Sequence, residues 1–207
     1  RAAAQGHATA TFHLAVMYAD GRGVSQNDTT ARTWYRRAAE QGQSDALVWY
    51  RVMAGGGYSF AQHDLGTMYA NGRGVSQFDA EAVVWFRRAA EQGLAESQVN
   101  LGLMYQAGRG VVQDSVAAVR WYRLAATQGH TGAQGELAMM YATGQGVPHD
   151  DVKAYMWYAV AARHSSGENY DHYVHARDAV AERLTSAQIA GAQRLAEEWN
   201  AARAHVP

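Results

Sequence analysis

The chain has 207 residues, enough for one elongated domain or two small ones with a sizeable hydrophobic core. The 18 Lys and Arg residues against 19 Asp and Glu residues give a formal net charge of −1. This balance argues against nucleic acid as an obligate partner, because a phosphate-binding surface normally shows a basic excess. The absence of cysteine excludes disulfides, a thiolate nucleophile and cysteine-ligated zinc. No run approaches the ~18 consecutive apolar residues of a transmembrane helix, so no membrane span is predicted.

A repeat of 36 residues organises most of the chain. Trp85, Trp121 and Trp157 are 36 residues apart, and the Met-Tyr pairs at 68–69, 104–105 and 140–141 keep the same interval. One unit reads Leu-Gly-x-Met-Tyr, then Gly-Arg-Gly-Val, then Trp-Tyr-Arg-x-Ala-Ala-x-Gln-Gly, with small variations between copies. Similarity at a fixed period of this length indicates an array of repeated structural units.

Each unit contains two predicted amphipathic helices. Ala61, Leu65 and Met68 fall at i, i+4 and i+7, which places them on one stripe of a helix with 3.6 residues per turn. Both stripes are predicted to face the core, so that the helices of one unit pack together. The stripe of the second helix consists of Ala82, Trp85, Phe86, Ala89 and Ala90.

Glycines and capping residues delimit these helices. Gly72 and Gly74 are expected to adopt positive φ and so to end the first helix, since a side chain disfavours that conformation. The second helix is expected to start after a residue whose side chain caps free backbone N–H groups. The residues predicted as these caps are Asp28, Asp79, Ser115 and Asp151.

The repeat register is interrupted once. Met17 precedes Met68 by 51 residues instead of 36, so the first unit is followed by 15 extra residues. Residues 43–57 are predicted to be a degenerate unit that retains a single helix, ending at the glycines 55–57. The alternative is a mobile insertion, which would leave its large apolar side chains exposed.

The two ends differ from the central units. Residues 1–6 match residues 88–93, so the chain is expected to begin inside a second helix, with the first repeat cut at its N-terminus. Residues 165–207 have helical periodicity without the repeat motif, and we expect them to form capping helices. The predicted division is therefore a repeat array over residues 1–164 and a cap over residues 165–207.

Taken together, the Leu-Gly-x-Met-Tyr, Gly-Arg-Gly-Val and Trp-Tyr-Arg-x-Ala-Ala-x-Gln-Gly segments resemble the Sel1-like repeat family, a relative of tetratricopeptide repeat proteins. The resemblance implies an all-α fold, an α/α solenoid of helix-turn-helix repeats with a helical C-terminal cap. It also implies a non-catalytic scaffold or adaptor that binds a protein or peptide without a cofactor. Bacterial members are often exported, which favours a periplasmic or secreted location over a cytoplasmic one. A monomer is favoured.

In a solenoid the first helices of successive units line the concave side, so a partner is expected to bind at their positions opposite the core. This surface mixes apolar and polar side chains, which suits a peptide or a partner helix. Phe12, Leu103 and Met139 are the predicted apolar anchors. The full predicted surface consists of Phe12, His13, Val16, His63, Asp64, Thr67, Asn71, Asn100, Leu103, Glu136 and Met139.

The alternative function is a small-ligand, metal-binding or hydrolytic protein. His172 and His175, at i and i+3, are weak candidates for metal ligands on one helical face. The motif that would make them a metalloprotease site is missing, because no Glu lies between them in the usual arrangement. A pocket near residues 43–57 is the other possible location for such a site. We predict no catalytic residues.

Overall fold

The computed structural model describes residues 7–204, which form eleven α-helices and, over that range, no β-strand. No helix within it combines the length and the apolar character needed to cross a membrane. The helices are α1 (Ala8–Asp20), α2 (Asp28–Glu40), α3 (Ser44–Gly55), α4 (Ser59–Asn71), α5 (Asp79–Glu91), α6 (Ala95–Ala107), α7 (Ser115–Thr127), α8 (Thr131–Thr143), α9 (Asp151–Arg163), α10 (Gly167–Ala181) and α11 (Ser186–Ala204). The predicted start of the chain inside a helix, at residues 1–6, lies outside the described residues.

The helices form two compact units. The first unit takes the residues up to Ser97 together with Arg109–Val111, and the second takes Gln98–Gly108 and the residues from Val112 onward. Within the units, α1 packs with α2, α4 with α5, α7 with α8, and α8 with α9. The all-helical repeat fold predicted from the 36-residue period is confirmed.

The predicted core stripes are confirmed at most positions. Ala61, Leu65 and Met68 of α4 are almost completely buried, as are Ala82 and Phe86 of α5. The glycine that follows leucine in the repeat has a packing reason: a Cβ at Gly66 would lie 2.8 Å from Cδ1 of Phe86. Gly102 stands in the same relation to Tyr122, at 2.6 Å from Cε1. The small residue therefore makes room for the aromatic ring of the second helix.

The predicted turn glycines have positive φ, with values of 66° at Gly72 and 74° at Gly74. A second constraint acts at the later glycine of the loop. In the first unit a Cβ at Gly110 would lie 2.3 Å from the carbonyl carbon and oxygen of Asp79. The loop backbone thus approaches the start of α5 so closely that only glycine fits. Arg109 beside it pairs with the Asp79 carboxylate at 2.7 Å and donates to the Ala70 carbonyl.

The predicted helix caps were wrong by one residue. The capping side chains of α2, α7 and α9 belong to Asn27, Asp114 and Asp150, and each accepts a hydrogen bond of 2.9 Å from the backbone N–H three residues later. These residues precede the helix in extended conformation, with φ between −156° and −150°. This conformation lets the side chain accept a hydrogen bond from the N–H in the first turn of the helix. The residues predicted as caps are instead the first helical residues: Asp28, Asp79, Ser115 and Asp151.

Residues 44–55 form the single helix α3, which packs against both α2 and α4. Its buried face consists of Ala46, Tyr50 and Ala54, and the Tyr50 side chain is completely buried. The helix also exposes Val48 and Val52 on its other face. The extra residues between the first and second repeats are therefore an integral part of the first unit.

In the second unit, α10 and α11 both pack against α9. Trp199 of α11 contacts Trp157 of α9 edge to face, with ring centroids 5.6 Å apart. Arg203 donates to the backbone carbonyls of Thr127 and Gln128, which lie at the C-terminal end of α7. The last two helices thus cover side chains of α9 and satisfy carbonyls at the end of an earlier helix.

Candidate functional site

A cavity of about 280 Å³ in the first unit, here called the polar cavity, lies among side chains of α2 and α4 and the start of α6. Two predicted site residues, His63 and Asp64, line it together. Its charged residues are two arginines and two carboxylates, so the cavity is polar without a strong excess of either charge. The lining residues are Arg32, Thr33, Arg36, Phe60, His63, Asp64, Leu94 and Glu96.

Asp64 is held by groups from two neighbouring helices. The Tyr50 hydroxyl of α3 donates a hydrogen bond of 3.0 Å to Asp64 Oδ2, and Arg36 Nη1 of α2 lies 3.6 Å from Asp64 Oδ1. Burial of Tyr50, and next the Asp64 charge, raise the pKa of the Tyr50 hydroxyl well above its ordinary value. The hydroxyl therefore stays protonated and available as a donor to the carboxylate.

His63 is oriented by a hydrogen bond of 2.8 Å between its Nδ1 and the Ser97 hydroxyl. Burial lowers the pKa of the imidazole below the ordinary 6.5, despite the opposing charges of Asp64 and Glu96. At neutral pH the ring is therefore uncharged, with one nitrogen bonded to Ser97. This arrangement offers a partner a neutral polar group beside the fixed Asp64 carboxylate.

A second cavity of the first unit, here called the aromatic cavity, has a volume of about 360 Å³. The Tyr35 and Trp49 rings stack 4.4 Å apart within its wall, and Trp49 lies 6.4 Å from the Phe60 ring. The inserted helix α3 supplies Trp49 and Met53, so the extra helix creates part of this wall. The lining residues are Ala19, Asp28, Thr29, Ala31, Arg32, Tyr35, Trp49, Met53, Tyr58 and Phe60.

Arg32 and Phe60 line both cavities of the first unit. The Arg32 guanidinium lies over the Phe60 ring, 4.9 Å from its centroid, which is the geometry of a cation–π contact. The polar and aromatic cavities therefore adjoin at this pair. One extended ligand can place an apolar group on one side of the pair and a polar group on the other.

The second unit has a cavity of about 210 Å³ around Glu136, here called the Glu136 cavity. It brings the predicted residues Glu136 and Met139 together with His172, which was predicted only as a weak metal ligand. Burial raises the pKa of Glu136, and the opposing charge of His172 is the smaller effect. The lining residues are Gly132, Gly135, Glu136, Met139, Tyr158, His172 and Tyr173.

The remaining predicted surface residues lie outside the linings of these cavities. Phe12, a predicted anchor, and Val16 are half-buried and pack against the core of the first unit. The Thr67 hydroxyl donates to the carbonyl of His63. Of the rest, Asn100 is half-buried, and the exposed residues are His13, Asn71 and Leu103.

Both weak metal candidates lie on α10, and of the two only His172 is among the residues that line the Glu136 cavity. Over residues 7–204, no three His, Cys, Asp or Glu side chains are grouped so that they could hold a metal ion.

Sequence reasoning missed Arg32, Arg36, Phe60 and Trp49. Arg32 and Arg36 are at i and i+4 of α2, a spacing that could have indicated a shared face. Trp49 stacks on Tyr35 and also lines a cavity.

Tandem two-helix units of this length define a tetratricopeptide-like solenoid repeat protein, a class whose sites lie on the surfaces of successive helices. The Sel1 repeat model matches residues 8–43, 59–94, 95–130 and 131–166. The chain therefore belongs to the Sel1 repeat family, whose members generally act as non-catalytic scaffolds for protein–protein interaction. The inserted helix α3 lies between the first two matched repeats. No curated protein gives a significant sequence match.

Two solved structures with the same fold have sequence identities of 28% and 40% to this chain. The crystal structure of c5321, a protective antigen present in uropathogenic Escherichia coli strains and displaying an SLR fold, is 28% identical with a TM-score of 0.55. The match covers 95% of this chain but 54% of the E. coli protein, so this chain spans about half of that relative's length. A Sel1 repeat protein from Oxalobacter formigenes is 40% identical over 62% of this chain and 97% of its own, with a TM-score of 0.56.

A third similar structure, Helicobacter pylori cysteine-rich protein B, supports the fold alone. It is 17% identical over 64% of this chain and 96% of its own, with a TM-score of 0.50.

Proposed function

We propose that the chain is a non-catalytic interaction module that binds a peptide segment of a partner protein at the adjoining polar and aromatic cavities of the first unit. The observation that carries this proposal is the Arg32–Phe60 pair, which belongs to both cavities. Family membership supports a protein partner, because Sel1 repeats mediate protein interactions. The charge balance of −1 is consistent with a partner other than nucleic acid.

The chemistry of the two cavities defines the peptide. The aromatic cavity, walled by Tyr35, Trp49 and Phe60, suits one apolar or aromatic side chain as an anchor. The polar cavity suits a neighbouring side chain or backbone group that exchanges hydrogen bonds with His63 or Asp64. Their combined volume is that of a few side chains and not of an extended protein surface. We therefore expect a short linear segment with one apolar anchor beside a polar residue.

The alternative of a small-ligand protein is favoured by one observation, namely that the aromatic cavity lies beside the irregular segment, residues 43–57. The aromatic cavity has walls from α3 and is more apolar than the polar cavity. Its volume of about 360 Å³ falls at the lower end of the range for small-molecule sites. A ligand of this type would be held by the aromatic cavity alone and would be insensitive to changes at His63.

Selection of random peptides displayed on phage against the immobilised chain, followed by calorimetry on the selected peptides, tests the proposal. We expect an enriched motif with one aromatic or large aliphatic residue next to a polar one. Arg32→Ala and Phe60→Ala should each weaken binding about 10-fold or more, as expected for residues at the centre of an interface. Arg51→Ala, which removes an exposed arginine of α3, is the matched control and should bind as the original chain does.

Two results would count against the peptide site. One is the absence of any enriched motif after selection. The other is peptide binding that neither Arg32→Ala nor Phe60→Ala weakens, in proteins whose circular dichroism spectra and melting temperatures match the original. Peptide binding that is sensitive to Phe60 but not to His63→Ala would favour a site restricted to the aromatic cavity.

A further inference from the structure

The Glu136 cavity of the second unit contains a carboxylate whose charge is poorly compensated. Over residues 7–204, Glu136 takes part in no hydrogen bond and no ion pair, and its nearest cationic influence is the charge of His172. Burial is the main cause of its raised pKa, which means that the ionised form lacks the stabilisation it would have in water. A ligand that brings a positive charge would remove this penalty.

In the first unit, the carboxylate at the corresponding repeat position has two partners. Asp64 lies at the same repeat position, two intervals of 36 residues earlier, and it is even more buried. There, however, the Tyr50 hydroxyl and the Arg36 guanidinium accompany the carboxylate.

Tyr122 holds the position of Tyr50 in the later repeat and lies within reach of the Glu136 charge, but its hydroxyl donates to Gln106 at 2.6 Å. No arginine pairs with Glu136 among the described residues. The same position is therefore internally paired in one unit and available to a ligand in the other.

Two tyrosine side chains, Tyr158 and Tyr173, line the cavity together with Glu136. Burial, and next the Glu136 charge, raise the pKa of Tyr158 and of Tyr173, so both rings lie within electrostatic reach of the carboxylate. The Tyr173 ring packs onto α8 at Gly135, where a Cβ would lie 2.4 Å from Tyr173 Cε1. Glycine at this position is therefore needed to bring the ring to the wall of the cavity.

A carboxylate and tyrosine rings together attract a cation, since the carboxylate supplies charge and the ring faces supply their negative quadrupole. A neutral ligand would gain at most a hydrogen bond from Glu136, which is weaker than the charge-assisted bond of a cation, and an anion would be repelled. The volume of about 210 Å³ is below the range of sites for drug-sized molecules and suits the end of one long side chain.

We propose that the Glu136 cavity binds the cationic end of a lysine or arginine side chain, supplied by the partner protein. The assignment of the cation to a side chain of a partner protein rests on the proposed interaction function. The selectivity of the cavity for a cation does not, and it is measured without any peptide.

The test uses the full chain with 13C-labelled methionine methyl groups, so that Met139 in the cavity wall reports binding by NMR. The chain has seven methionines, and Met139→Leu assigns the signal. The probes are n-butylammonium and n-butylguanidinium, and n-butanol is the neutral control of the same shape. We expect a saturable shift of the Met139 signal with at least one of the two cations and none with n-butanol.

Glu136→Gln keeps the size of the side chain and should weaken cation binding about 10-fold or more, because the charged acceptor is lost. Glu91→Gln, which removes an exposed carboxylate outside the cavity, is the matched control and should leave binding unchanged. His172→Lys provides a second route, because a tethered ammonium beside Glu136 should occupy the site and abolish the shift.

The proposal is overturned if neither cation gives a saturable shift, if n-butanol binds as well as they do, or if Glu136→Gln binds like the original chain. Should Glu136→Gln not fold, the His172→Lys result decides: undiminished cation binding there overturns the proposal. Failure of peptide selection at the first unit would leave these results unaffected, so the two proposals fail independently.

Discussion

The Tyr50 hydroxyl of the inserted helix α3 donates a hydrogen bond of 3.0 Å to the buried carboxylate of Asp64 on α4. The same hydroxyl lies 3.3 Å from the backbone carbonyl of Arg32 on α2. One side chain of the inserted helix therefore connects α2 and α4, two of the helices that line the polar cavity. Through this contact the interruption of the repeat becomes part of the site.

Tyr50→Phe should lower the free energy of unfolding by about 1–3 kcal/mol, because the Asp64 carboxylate loses its donor while it remains buried. Urea unfolding followed by circular dichroism measures the change. Tyr58→Phe is the matched control, since that side chain is 54% exposed and its substitution should alter the value by less than about 0.5 kcal/mol. Equal values for the two variants would show that the hydrogen bond to Asp64 contributes nothing.

Gly110→Ala should destabilise the chain far more than Gly93→Ala, although both glycines have positive φ. Both variants carry the strain of a side chain in that conformation, about 1 kcal/mol. Only at Gly110 does the added Cβ meet the Asp79 backbone, at 2.3 Å, which adds about 1–3 kcal/mol or more of overpacking. Thermal and urea unfolding of the two variants measure the difference. Similar losses of stability would show that the loop moves away without penalty.

His63 should make stability depend on pH. Because burial lowers its folded-state pKa, the unfolded chain binds the proton more readily, and the free energy of unfolding falls as the pH drops below about 6.5. Below the folded-state pKa this contribution levels off. We expect His63→Gln to flatten the profile between pH 7.5 and 5.5, measured by urea unfolding, whereas His13→Gln at an exposed position leaves it unchanged. A profile unaffected by His63→Gln would contradict the assignment.

Glu136→Gln should stabilise the chain at pH 7, in contrast to its expected effect on cation binding. Burial raises the folded-state pKa of Glu136, so the folded chain holds this proton more tightly and loses stability as the pH rises above about 4.5. Glutamine carries no charge to desolvate. The gain should therefore be present at pH 7 and disappear near pH 4, as measured by urea unfolding at both values. A loss of stability at pH 7 would mean that the carboxylate is compensated.

The repeat fold was predictable because its determinants are local. Leu65 and Met68 lie on one helical stripe through their spacing alone, and Gly72 adopts positive φ because the helix must end there. The cap positions were wrong by one residue, since both Asn27 and Asp28 can cap a helix and only the backbone conformation distinguishes them. The pattern therefore predicted the existence of each helix more accurately than its first residue.

The sites were predictable only in part. His63 and Asp64 were placed on the binding surface by the helical wheel, and the structure puts both in the polar cavity. Arg32 and Trp49 were missed because they belong to α2 and α3, whereas the binding surface was predicted on the first helices of the repeat units. Their exposure in a cavity depends on how α3 fits between its neighbours, and the spacing of residues along one helix does not report this.

The sequence by itself determined the helical period, the positions of the turns and the family, because each follows from residue types at fixed short intervals. Only the tertiary structure decided which polar side chains are already paired and which are available. Asp64 and Glu136 occupy equivalent positions, but Tyr50 from an adjoining helix reaches only Asp64. A charge is compensated by groups distant in the chain, so the packing of helices, and not the repeat pattern, makes one carboxylate structural and leaves the other for a ligand.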